Sequence, residues 1–262
     1  MISSVTFTIP SRWRQSIAAL LVLVCSPSLA YAQETWMAVN AGGQFGSNDF
    51  AHVVDLRLFR TSLRVDHPVG NGTLVDVGGG VTLPWSIGLG SVRMGLGASY
   101  SVASVGHEAT LRAEIRSALI PGAPLRFDAV EAVDRSEKGA HVHFTGSVSV
   151  GERITVSVYG GPSYFAVSQD VVGDIDIPVL GVGAITRSDV RKVYATWWGF
   201  NAGADVAFFF SERFGIGFGV RVTGATVRVE NLLLRTVAAE RALVASRAGG
   251  VQMLGGVRLR LP

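Results

Sequence analysis

The chain carries a single cysteine in 262 residues, Cys25, and only 16% of its residues are charged. After residue 32 no apolar run approaches the ~20 residues a helix needs to cross a bilayer. Cys25 falls inside that first segment. A chain that loses it has no disulfide, no thiol nucleophile and no cysteine metal ligand. The net charge is +3, and residues 1–32 contain Arg12 and Arg14 but no acid, so the remainder carries +1. Such a balance gives no charge-based case for nucleic acid. Prolines number 9 and form no Pro/Ser-rich linker. About 230 residues after the first segment suit one domain.

Residues 1–32 read as a cleaved secretory signal. Arg12 and Arg14 give the positive start, residues 17–25 the short apolar run, and Ala30-Tyr31-Ala32 a small-residue cleavage site before Gln33. The run is too short for a membrane anchor. Val24 is bulky where a lipoprotein signal has a small residue before its cysteine.

The 32 glycines all lie after residue 32, and the mean hydropathy of the whole chain is +0.37. The apolarity is dispersed in alternation. Over residues 197–223, Phe200, Ala202, Ala204, Val206, Phe208 and Phe210 share one face, with Asn201, Gly203, Asp205 and Ala207 on the other. After a tight turn at 211–213, Phe214, Ile216, Phe218, Val220 and Val222 alternate with Gly215, Gly217, Gly219, Arg221 and Thr223. A period of 2 means β-strand. A wholly apolar outer face, small and polar residues inside, and aromatics near the strand ends argue for a membrane strand.

The same pattern recurs at 36–45, 75–83, 91–100, 140–150, 154–165 and 251–261. With the 197–223 pair that predicts eight strands in an all-β, closed antiparallel transmembrane barrel. Short turns at 84–89, 151–153 and 211–213 alternate with long connections at 46–73, 104–138, 168–195 and 230–247. This places the short turns and both termini on the periplasmic side. Closure is required because lipid offers no partner for an unpaired sheet edge. Val54, Leu56 and Leu58, and Leu111, Ala113 and Ile115, alternate further. They are extensions above the membrane or one more pair, making ten strands.

The signal, the GlyPheAsnAlaGlyAlaAspValAlaPhePhe strand at 199–209, GlyGlyProSerTyrPhe at 160–165 and the ending AlaGlyGlyValGlnMetLeuGlyGlyValArgLeuArgLeu at 248–261 resemble small outer-membrane β-barrel proteins of the OmpA/OmpX-like kind. The resemblance covers residues 33–262 as a pattern. It implies location in a bacterial outer membrane and insertion by the barrel insertion machinery, which reads a last strand usually ending in an aromatic residue. Leu261-Pro262 departs from that ending. The barrel fills the chain, so no peptidoglycan-binding domain follows.

Inward positions hold Asp76, Arg93, Asp205, Arg221, Arg258 and Arg260, which should pair inside a narrow barrel. His141 and His143 share a face with Ser147 and Ser149. A metal would need a third ligand, and hydrolase chemistry would need a serine and an orienting acid beside a histidine. Neither is visible at a telling spacing, so no catalytic, cofactor or metal residue is assigned. GlyLeuGly at 88–90 and GlyValGly at 181–183 precede no helix and are not phosphate loops. Trp36, Trp85, Trp197, Trp198, Phe208, Phe209, Phe210 and Phe214 are expected in interfacial girdles. The charges of 104–138, among them Arg112, Arg116, Arg126, Arg135 and Lys138 with Glu108, Glu114, Asp128, Glu131, Asp134 and Glu137, read as a solvated loop, and residues 120–127 as a segment that packs on the barrel mouth. The expected role is a monomeric, non-catalytic surface protein, structural or adhesive, in contact with outer-membrane lipids and lipopolysaccharide. The alternative is a narrow passive channel for small solutes or ions, and a lipid-modifying hydrolase stands behind it.

Overall fold

The computed structural model describes residues 34–46, 50–56, 61–67, 69–87, 92–115, 125–176, 187–230 and 243–261. The predicted signal, the glycine pairs at 88–90 and 181–183, and Pro262 lie outside them. The strands are β1 (Glu34–Phe45), β2 (Phe50–Leu56), β3 (Thr61–His67), β4 (Gly72–Ile87), β5 (Val92–Ile115), β6 (Leu125–Val150), β7 (Ile154–Asp176), β8 (Arg187–Phe209), β9 (Phe214–Glu230) and β10 (Leu243–Leu261). Eight of them close a ring, β1–β4–β5–β6–β7–β8–β9–β10 and back to β1, every pair antiparallel. The closing ladder runs from Thr35↔Leu261 to Phe45↔Val251. The protein is therefore a closed antiparallel β-barrel, as its alternation predicts.

β2 and β3 form a hairpin outside the ring, attached through β3 to residues 110–114 of β5. Leu111, Ala113 and Ile115 are thus the extended end of a ring strand. Val54 and Leu56 belong to the added hairpin, and Leu58 lies outside the described residues. The connections expected at 104–138 and 168–195 are strand wherever they are described, and of 230–247 the described residues, 230 and 243–247, are strand. β5 and β6 pair as far as Ile115↔Leu125, and β7 and β8 as far as Asp176↔Arg187. Leu125, Arg126 and Phe127 open β6 rather than pack as a loop.

β6 has 26 residues, whereas about 9–11 tilted residues cross a bilayer. The apolar outer face marks which part crosses. Outward on β6, Val142, Phe144 and Val150 are exposed, and beyond Ala140 the outward residues become Lys138 and Asp134. On β8 and β9 the exposed belt runs through Phe200, Val206, Phe208, Phe214, Ile216, Phe218 and Val222. Tyr164 and Trp198 meet edge to face at 5.2 Å across β7 and β8 at the far edge of the belt.

Past the belt the pattern inverts. Val105, Ala109, Val133, Val167, Val193, Val227 and Ala248 are buried inside, while Glu108, Asp134, Lys138, Lys192 and Arg247 face outward. Phe165, Val167, Val227 and Ala248 form one packed cluster there. Apolar-out and polar-in suits lipid; apolar-in and polar-out suits water. The same strands satisfy both, one above the other. The barrel therefore continues beyond the membrane as a core-filled, water-facing storey.

Gly249 and Gly250, both in β10, have φ of 92° and 148°. Only glycine adopts this geometry without strain. The bend aims the Gly249 N–H into the lumen, where it donates to Glu137 at 2.9 Å.

Candidate functional site

The lumen, filled by the inward residues of every ring strand, is the candidate site. Its upper part is a continuous polar network. Arg135, 1% exposed, donates to Glu137 at 2.7 Å, Gln169 at 2.8 Å, Ser246 at 3.0 Å and the Arg247 carbonyl at 2.5 Å. Glu137 also accepts from Gln44 at 2.9 Å. Gln252 donates to Gln44 at 2.8 Å and accepts from Arg221 at 2.6 Å. Arg221 pairs with Asp76 at 2.9 Å. Asn40 donates to Asp76 at 3.1 Å and accepts from Arg258 at 2.5 Å, and Arg258 pairs with Asp205. The network links β6, β7, β1, β10, β9, β4 and β8. A charge held in a low-dielectric interior is stable only when paired and hydrogen-bonded, and Arg135, Arg221 and Arg258 each meet that condition.

A second chain of bonds branches from Arg221, whose Nη1 donates to Ser99 Oγ at 2.9 Å. His143 lies between Ser99, 3.0 Å from its Nε2, and Asn201 Oδ1, 2.9 Å from its Nδ1. Asn201 Nδ2 faces the carbonyls of Val142 at 3.2 Å, Gly161 at 3.0 Å and Pro162 at 3.2 Å, and Ser163 Oγ at 2.9 Å. Carbonyls only accept, so the amide nitrogen must face them and Oδ1 must face His143. His143 Nδ1 therefore carries the proton, and Nε2 is a bare acceptor for the Ser99 O–H. On the other side of Asn201, Ser163 Oγ lies 2.8 Å from His141 Nδ1, and Ser101 Oγ lies 2.9 Å from its Nε2. Both partners of His141 are hydroxyls, which donate or accept, so no amide fixes its tautomer as Asn201 fixes that of His143.

The sequence explains why Asn201 is needed there. The β6–β7 ladder passes from His141↔Ser163 to Phe144↔Gly160 and skips the residues between. Pro162 has no N–H to give. Asn201 points its two N–H groups into this gap in the ladder, where a wall inside lipid cannot leave carbonyls bare.

In the half of the lumen nearest the short turns lies a cavity of about 130 Å³. Its walls include Trp36, Thr145, Tyr159 and Asp205; Ser99, His143, Arg221 and Leu254 bound it above, and Glu34, Arg93 and Arg260 below. Arg93 and Arg260 share Glu34 at 3.0 and 2.7 Å. Arg260 also stacks 3.6 Å over the Phe209 ring.

All six inward charges singled out from sequence are in the lumen and all are paired, with Glu34 as a partner that the alternation does not name. His141 and His143 are buried side by side, and their nitrogens are occupied by hydroxyls and an amide. Ser147 and Ser149 lie nearer the turns, and the serines that touch the histidines are Ser99, Ser101 and Ser163. Arg135 and Glu137 correct the loop reading: carried back from Ala140, the strand's own alternation puts both inside. Trp36 and Phe209 are lumen residues, not girdle residues, since each falls on the inward parity of its strand. Phe208, Phe210, Phe214, Trp197 and Trp198 are exposed as expected, and the side chain of Trp85 lies outside the described ones.

No family model and no curated protein sequence matches the chain. Its structure is similar to that of the outer membrane protein OprG from Pseudomonas aeruginosa, with 8% identity, 88% of this chain and 97% of that one covered, and a TM-score of 0.48. It is similar also to the outer membrane protease OmpT of Escherichia coli, with 8% identity, 88% and 97% covered and a TM-score of 0.43. The third is Ail, the attachment invasion locus protein of Yersinia pestis, with 12% identity, 87% and 100% covered and a TM-score of 0.37. The scores are below 0.5, so the fold rests on the hydrogen-bonded ring itself. The fold is a closed antiparallel β-barrel with an apolar outer belt.

Proposed function

We propose that the protein is an integral, monomeric surface protein of a bacterial outer membrane, exported by a signal cleaved before Gln33 and structural or adhesive in role. One observation carries the reading: the strands rise past the apolar belt as a core-filled storey with a charged exterior. Such a storey presents a rigid surface to the outside while the belt holds lipid and the lipopolysaccharide around it. The Arg135–Glu137–Gln44–Gln252–Arg221 network crosses the lumen above the cavity, which argues against the passive-channel alternative.

Orientation and surface display are tested with single cysteines, for which the chain after residue 25 offers an empty background. Lys138→Cys should react with a membrane-impermeant maleimide on intact cells, and Glu152→Cys only after the outer membrane is permeabilised. The reverse pattern would sink the surface role. In a planar bilayer the refolded barrel should show no steady unitary conductance; a conductance altered by Arg221→Ala would move the function to a channel.

A further inference from the structure

We propose that Ser99 is a nucleophile, activated by His143, and that the turn-end cavity takes a small carboxylic ester which it hydrolyses. Three observations converge. The orienting amide of Asn201 fixes the His143 tautomer, so that a bare Nε2 receives the Ser99 proton at 3.0 Å. The Arg221 guanidinium, 2.9 Å from Ser99 Oγ, places positive charge where an oxyanion would develop. Ser99, His143 and Arg221 all border the cavity, which lies on the side of the barrel where small periplasmic molecules arrive. A serine beside a base that is itself oriented by a third group is the general arrangement for acyl transfer. An amide can serve as that third group, because its role is to hold the ring and its tautomer.

The neighbouring cluster sharpens the assignment. His141 also touches two serines, Ser101 at 2.9 Å and Ser163 at 2.8 Å, but no amide fixes its tautomer. Among the described serines only Ser99 combines an imidazole of fixed tautomer with a hydrogen bond from an arginine.

The chemistry closes on these groups and water. Ser99 Oγ bonds to the ester carbonyl carbon as its proton passes to His143 Nε2, and the oxyanion forms beside Arg221. Collapse breaks the bond to the alcohol oxygen, which leaves with that proton. Water then attacks the acyl carbon and gives a proton to His143. The acyl–Oγ bond breaks, the acid departs and the proton returns to Ser99. The cavity volume restricts the acyl group to a few carbons, with the alcohol toward Glu34, Arg93 and Arg260. Asn201 is a positioning residue, acting only through His143.

The test uses the barrel purified in detergent from cells expressing the full chain, each variant first shown to keep heat-modifiable gel mobility. Diisopropyl fluorophosphate should add one adduct, mapping to Ser99 and not to Ser101 or Ser163, and none to the heat-unfolded chain. Ser99→Ala should remove it, and His143→Gln should slow it by about 100-fold or more. Asn201→Ala should slow it and change its pH profile, because the His143 ring then loses its fixed tautomer. p-Nitrophenyl acetate turnover should vanish in Ser99→Ala. No adduct on the folded barrel, an adduct that persists in Ser99→Ala, or one mapping to Ser101 would overturn the proposal. Labelling of Asn201→Ala at the original rate would overturn the orienting role.

Discussion

Arg135→Met removes the cation from the most enclosed part of the lumen network and keeps most of the volume. In the native barrel Glu137 receives Arg135, Gln44 and the Gly249 N–H. The substitution leaves its carboxylate, 3% exposed, with two neutral donors and no counter-charge. Breaking a buried pair by deleting one partner costs about 3–5 kcal/mol, because the surviving charge stays desolvated. Gln169 and Ser246 lose a donor as well, but each is an acceptor whose loss is worth only ~1 kcal/mol. The uncompensated carboxylate therefore dominates. The assay is equilibrium urea unfolding of the barrel in lipid vesicles, followed by tryptophan fluorescence. Adding Glu137→Gln removes the stranded charge, so the double variant should be less destabilised than the two single losses summed, with a coupling of ~2 kcal/mol. Lys192→Met is the control. Its pair with Asp170 is 3.6 Å long with the lysine half-exposed, and such a pair contributes below about 1 kcal/mol. A loss under ~1 kcal/mol for Arg135→Met, or strict additivity with Glu137→Gln, would refute the reasoning that a paired interior charge locks this part of the barrel.

Two further outcomes test separate parts of the fold. Phe218→Arg, at the middle of the β9 belt and facing lipid, should destabilise the barrel in vesicles by ~2–4 kcal/mol; an effect near zero would place residue 218 outside the bilayer. Gly249→Ala forces an L-residue to φ 92° and sets its Cβ 2.6 Å from the Thr223 carbonyl. It should cost about 1–3 kcal/mol in the same unfolding assay, and unchanged stability would mean that β10 does not bend there.

The membrane half of this barrel is legible because one rule governs it: alternate residues face lipid and must be apolar. That rule places Asp76, Asp205, Arg221 and Arg258 inside, and Phe200, Phe208, Phe214 and Val222 outside, without any knowledge of partners. It fails where the solvent changes. Beyond Ala140 the outward face turns polar, and Lys138 and Asp134 then look like part of a solvated loop. Arg135 and Glu137, on the other parity, are hidden among them. Continuing the alternation past the loss of apolar character puts both in the lumen. Trp36 and Phe209 escape a girdle assignment for a related reason, since strand parity outweighs aromatic type. The Ser99–His143–Asn201 arrangement is not readable from spacing, because its members come from β5, β6 and β8. Which residues meet there depends on the register between strands, and alternation along one strand carries no register.

The same register explains why a closed network and a prepared serine occupy one lumen. A narrow barrel must fill its interior, and buried polar groups must be paired completely or they destabilise it. Dense pairing holds these side chains in fixed directions. Arg221 satisfies Asp76, Gln252 and Ser99 at once, so it seals the lumen above and polarises a hydroxyl below. Asn201 mends the ladder at Pro162 and, in doing so, dictates the proton position on His143. Packing and wall repair alone therefore set the geometry on which the Ser99 proposal rests. That is why covalent labelling, which reads reactivity, is the measurement that separates a filled barrel from a working one. A loss of stability in Ser99→Ala or His143→Gln would follow from either.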